Sequence, residues 1–132
     1  MRAIQAHMTG GLSIGSKVKC VDNSGVKELK IIAKEGYKGR RRRRPDIGVA
    51  DVFVASVIKG KVRMRKKKVR AVIVRQRKEY RRASGERVKF EDNAAVLINE
   101  KNEPVASEIK GAIAREVAQR FPRIATIAKI VV

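Results

Sequence analysis

Few residues in this sequence could do covalent or acid–base chemistry. His7 is the only histidine. A general acid or base needs positioned neighbours, and the stretch MRAIQAHMTGG around His7 supplies none. Cys20 is the only cysteine and keeps step with Val18 in SKVKCV. That spacing makes it a core thiol, because a nucleophile would need a base beside it. A single cysteine forms no internal disulfide, which suits a reducing compartment. Asp46 and Asp51 could hold Mg²⁺ in a nuclease, but Asp46 follows a run of arginines, where an ion pair or turn role fits better. No Cys/His spacing suits zinc, and no G-x-x-x-x-G-K-[ST] loop is present. The expectation is a protein that is not an enzyme, with no cofactor and no metal.

The residues that do recur are cations. The net charge is +20, from 33 Lys/Arg against 13 Asp/Glu. The segment KGRRRRRP sets Lys38 and then Arg40, Arg41, Arg42, Arg43 and Arg44 side by side. A second cluster holds Lys59, Lys61, Arg63, Arg65, Lys66, Lys67 and Lys68, and a third Arg75, Arg77, Lys78, Arg81 and Arg82. Such density is uncompensated repulsion in water, but a polyphosphate turns it into attraction and releases counterions. Arginine's planar fork also bonds phosphate oxygens in pairs and stacks on exposed bases. Tyr80, between Lys78 and Arg81, is either a stacking surface or a packing residue of a hairpin. With five Phe/Tyr and no Trp, a single-strand binder built on aromatic platforms is disfavoured. No helix suits the major groove. Recognition of folded RNA by shape and phosphate position remains. The longest apolar runs, such as Ala71 to Val74, are far too short to span a membrane, and the N-terminus has no apolar signal core.

The charge is uneven: residues 1–82 carry +19 and residues 83–132 only +1. Two faces with different partners account for that split.

The positioning elements follow from periodicity. Alternation in SKVKCV and VKELKIIA, with Leu29, Ile31 and Ala33 on one face, joined by the turn DNSG, predicts a β-hairpin over 13–33. Residues 34–49 form a long loop centred on the arginines. DVFVASVI, RAVIVRQ and NAAVLIN are further strands, the second buried on both sides at Ala71–Val74. A basic excursion, KGKVRMRKKKV, separates the first two. KEYRRASGERVKF is a hairpin turning at Ala83-Ser84-Gly85, with Val88 and Phe90 facing inward. In AIAREVAQRF the spacing of Ile113, Val117 and Phe121 predicts an amphipathic helix with Arg115, Glu116, Gln119 and Arg120 opposite, ended by Pro122. Many short strands and one small helix point to a closed β-barrel with a C-terminal appendage. The chain is expected to be one domain over 1–132: a flexible arm at 1–12, the barrel and basic hairpins at 13–104, and a C-terminal helical region at 105–132.

The blocks CVDNSG, RAVIVRQRKEYRR, FEDNAAVLIN and GAIAREV together resemble the universal large-subunit ribosomal protein L-fourteen family, in its archaeal and eukaryotic branch. The resemblance runs from about residue 13 to 130. It implies a mainly β protein, a five-stranded β-barrel with a basic β-ribbon and a small C-terminal helical region. It also implies a structural constituent of the large subunit in the cytoplasm, binding large-subunit ribosomal RNA and touching small-subunit ribosomal RNA in intersubunit bridges. Neighbouring large-subunit proteins and a subunit anti-association factor are further implied partners. Arg75, Arg77, Arg81 and Arg82 match the basic positions of the family's signature strand and hairpin; Lys59, Lys61 and Lys66 to Lys68 match its ribbon. Arg115, Glu116, Arg120 and Arg123 fall on the expected protein-partner face. The arginine loop is expected to clamp phosphates, mobile when free and ordered on RNA. A nucleic-acid-compacting protein outside the ribosome is the other reading of the charge.

Overall fold

The structure, a computed structural model, describes residues 3–132. In chain order its strands are β1 (Ala6–His7), β2 (Lys17–Cys20), β3 (Val26–Lys34), β4 (Val52–Gly60), β5 (Lys68–Arg75), β6 (Tyr80–Arg82), β7 (Arg87–Val88), β8 (Ala94–Ile98), β9 (Ala112–Ile113) and β10 (Ile130–Val131). Two six-residue helices, α1 (Arg115–Arg120) and α2 (Pro122–Ile127), lie between β9 and β10. Strands β2, β3, β4, β5 and β8 form a closed barrel, with every pairing antiparallel except β2 with β8. The expected mainly β architecture and five-stranded barrel are therefore present.

The hairpin β2–β3 turns where DNSG stands. Asp22 accepts hydrogen bonds from the Ser24 N–H and hydroxyl and from Cys20 Sγ, and its other oxygen takes the Leu97 N–H at 3.0 Å. Gly25 completes the turn at φ +95°, open to glycine at no steric cost. Burial and then the Asp22 carboxylate push the Cys20 thiol up to about 12, which keeps it protonated and unreactive at neutral pH. In β3, Leu29 and Ile31 face the core, but Ala33 is exposed. A register shift between Ile31 and Ala33 breaks the alternation there.

Residues of a strand point alternately to its two faces. Yet Ala71–Val74 of β5 and all of β8 are buried at both parities. One parity fills the barrel; the other is covered from outside by the C-terminal segment, whose Ile109, Ile113, Val117, Phe121 and Ile124 join the same core. Backbone bonds fasten this cover: Lys110 N–H to the Val21 carbonyl at 2.7 Å and Ala114 N–H to the Val74 carbonyl at 3.0 Å.

The single helix expected over this segment is instead a short strand and two helices. Ile113 lies in β9, Phe121 is the break, and Pro122 opens α2 at its first turn rather than merely ending α1. Proline suits that position because its missing N–H has no partner there anyway. The N-terminal segment is also tied down: β1 pairs with β6, and Leu12 bridges Ile47.

Two buried polar knots hold these layers together. Gln76, fully buried, donates Nε2 to the Thr9 and Lys78 carbonyls at 2.8 Å each and accepts the Val49 N–H at 3.0 Å. The second knot joins β6 to α1. Arg82 Nε meets Glu116 Oε1 at 2.8 Å, Tyr80 Oη donates to Glu116 Oε2 at 2.7 Å, and Arg82 Nη2 reaches the Val132 carbonyl at 2.6 Å. Burial pushes the Glu116 carboxyl up, but the Arg82 and Tyr80 bonds outweigh it and hold the group below its ordinary value. Burial, then the bond to Glu116, raises the Tyr80 hydroxyl well above its own.

Removing one member of such a pair leaves the other charge buried alone. Glu116→Ala is expected to cost about 3–5 kcal/mol in denaturant unfolding. Because the folded carboxyl titrates below the unfolded value of about 4.3, its contribution is complete above that pH. It is lost as pH falls through the lower, folded value. Thermal melts of Glu116→Gln should therefore show less of this acid-induced loss than the parent chain.

Candidate nucleic-acid interface

The three cation clusters sit at places the barrel leaves open. The arginine loop joins β3 to β4. Lys38 and all five side chains from Arg40 to Arg44 are exposed, and none has an acidic partner among the described residues. The loop is nevertheless tied to the barrel. Lys34 Nζ bonds the Asp46 carbonyl at 2.8 Å and pairs with Asp51 at 3.1 Å, while Asp51 also accepts the Gly48 N–H at 2.9 Å. Asp51 is thus committed to bracing the loop, which leaves the imagined Asp46–Asp51 metal pair without its second ligand. Pro45 and Ile47 are buried.

The basic excursion is the far end of the β4–β5 hairpin, with a single 3₁₀ turn, Val62–Met64, at its tip. Lys59, Lys61, Arg63, Arg65, Lys66, Lys67 and Lys68 are all exposed on it. Lys59 makes a loose ion pair with Glu28 at 3.5 Å, and Arg65 Nε bonds the Gly60 carbonyl. Gly60 is required where the hairpin narrows: a Cβ there would lie 2.7 Å from the Gly25 carbonyl oxygen.

The third cluster divides. Arg77, Lys78 and Arg81 are exposed. Of the two others named with them from the sequence, Arg82 is buried and Arg75 half-buried, and both are held by partners within the fold. Arg75 Nε meets Asp92 at 2.9 Å, and Nη1 bonds the Lys110 and Ala112 carbonyls at 3.2 and 3.0 Å, tying β5 to the C-terminal cover. Arg82 is committed to Glu116, and Tyr80 is buried beneath it as a packing residue rather than a stacking surface. Burial makes both arginines struts, because a desolvated guanidinium must find its partners within the fold.

On the C-terminal face, Arg115 and Arg123 are exposed, Arg123 in contact with Glu103. Arg120 is half-buried and donates to the Ala50 carbonyl at 3.3 Å. Glu116 faces inward, so the helix has no acidic group to offer a partner there. Exposed Ile130, Val131 and Val132 add an apolar edge nearby.

Sequence reasoning passed over two cations that shape the interface, Lys34 and Arg70. Arg70 grips Glu35 with two bonds of 2.8 Å and the Asn99 carbonyl at 2.7 Å, joining the root of the arginine loop to the end of β8. The available signal was an acid at the start of the loop, Glu35, with a lone arginine opening the buried strand RAVIVRQ.

The model of the family described as ribosomal protein L14p/L23e matches residues 11–132. Proteins named large ribosomal subunit protein uL14 are similar over all 132 residues, with both chains fully covered: 52% identical in Halorubrum lacusprofundi, 50% in Haloarcula marismortui and 48% in Methanoregula boonei. A barrel that directs clustered cations outward, with no metal-binding cluster among the described residues, agrees with these likenesses, and the chain belongs to the ribosomal protein L14p/L23e family, whose members are structural and not enzymes.

Proposed function

We propose that this chain holds large-subunit ribosomal RNA through Lys38 and Arg40 to Arg44, through Lys59 to Lys68, and through Arg77, Lys78 and Arg81, with Arg75 and Arg82 bracing the surface from within. Its role is that of a structural constituent of the large ribosomal subunit, which places it with ribosomes in the cytoplasm. The observation that carries the RNA reading is the pairing pattern. Asp51, Glu35, Asp92 and Glu116 are engaged at the roots of loops and under the C-terminal cover, while the clustered cations assigned to RNA stay exposed and, Lys59 with Glu28 apart, form no ion pair among the described residues. Phosphate neutralisation with counterion release uses such a surface, and the rigid barrel sets the spacing of the contacts.

The near-neutral C-terminal part is the complementary face. Arg115, Arg120 and Arg123, with the apolar edge at Ile130 to Val132, would contact neighbouring large-subunit proteins or a subunit anti-association factor. Part of the cationic surface would reach small-subunit ribosomal RNA across the subunit interface. Among the described residues no helix is long and apolar enough to cross a membrane, and no membrane partner is proposed.

Three measurements test this. In competition binding at near-physiological salt, the chain should prefer a large-subunit ribosomal RNA transcript over bulk duplex DNA; equal affinity would favour a general compacting protein. Replacing Arg40 to Arg44 by serine should weaken RNA binding and reduce the salt slope by about 0.7–0.9 for each phosphate no longer neutralised, and an unchanged slope would take the loop off the RNA. Arg115→Glu should leave RNA affinity intact and weaken association with a neighbouring ribosomal protein; a matching loss of RNA affinity would overturn the division of faces.

A further inference from the structure

The arginine loop has internal bonds that its composition alone does not require. Tyr37 Oη donates to the Arg43 carbonyl at 3.1 Å. The Arg43 N–H closes a turn on the Arg40 carbonyl, also at 3.1 Å. Inside that turn Arg42 has φ +66°, a left-handed conformation in which a residue other than glycine persists only when its surroundings enforce it. The Tyr37 ring packs against the chain at Gly39, where any Cβ would overlap it. Beyond the turn, Pro45 is buried, and Leu12 and Ile47 exchange backbone hydrogen bonds of 3.1 and 2.9 Å.

From this geometry we infer that Tyr37 is a positioning residue for phosphate binding: it braces a preformed arginine turn, so that the five guanidiniums diverge from a shaped loop before RNA arrives. The inference rests on the proposed phosphate role of Arg40 to Arg44 and goes beyond it by assigning the loop's order to this chain rather than to the ligand. The physical reason is entropic. Five adjacent like charges favour an expanded loop, and a loop ordered only on binding gives up affinity to that ordering. A phenol bonded to the loop's own carbonyl, over a residue with no side chain, offsets the repulsion at one point. Glycine at 39 is what allows the ring to approach.

Tyr37→Phe removes only the hydroxyl bond and keeps the ring. Its expected effects are faster amide hydrogen exchange at Arg43 in the free chain and roughly 2- to 10-fold weaker binding to a large-subunit ribosomal RNA transcript, the range one net hydrogen bond provides. The salt slope should be unchanged, because the same number of phosphates is neutralised. In a chain already carrying serine at 40–44, Tyr37→Phe should not alter binding. An Arg43 amide that exchanges freely in the parent chain overturns the inference. So does a Tyr37→Phe chain that binds like the parent while Tyr37→Ala does not, since the ring would then stack on RNA directly. An equal loss in both backgrounds overturns it too. Serine at 40–44 without effect on binding is a different failure, that of the loop's phosphate role itself.

Discussion

Like-charge repulsion is the constraint around which this molecule is organised. With 33 cations and 13 anions, the acids cannot neutralise the surface, and their placement is correspondingly selective. Glu35 and Asp51 steady the two ends of the arginine loop, Asp92 fixes the outgoing end of β5, and Glu116 secures the β6 hairpin to α1. Each is placed where two segments must meet. Much of the surplus positive charge is left on hairpin tips and loops, with Lys17, Lys19, Lys27 and Lys30 on the outer faces of β2 and β3, and solvent screens these exposed side chains.

The barrel tolerates this because its stability comes from elsewhere. Val, Ile, Leu and Ala fill it from five strands, and the C-terminal segment seals the outer face of β5 and β8. That seal explains why the most apolar strands belong to a small protein with so much charge: they are interior on both sides, like the strands of a parallel sheet under helices. The arginine loop and the basic hairpin extend from β3, β4 and β5, strands paired on both sides within the closed barrel, and not from open edges.

Much of this was legible in the sequence. Alternation in SKVKCV, the DNSG turn, the unbroken Ala71–Val74 run and the Ala83-Ser84-Gly85 turn are local signals, and each lies where the folded chain uses it. The failures share a different origin. A bulge moved Ala33 to the surface, and periodicity has no means of announcing an inserted residue. Glu116 looked polar and outward on a helical wheel, yet its environment is set by Arg82, thirty-four positions earlier. Arg75 and Arg82 looked like their exposed neighbours because pairing over long separations leaves no mark on composition. The cluster of cations could be read directly; which of them are already occupied could not.

Gln76 carries a consequence of a different kind. Its one amide serves the N-terminal segment at Thr9, the arginine-loop root at Val49 and the strand connection at Lys78. Three regions that approach from separate directions thus share a single fastening. None of them can drift in position without the other two losing their common reference, so any lineage that reshapes one of these loops must alter the others in concert or abandon the glutamine.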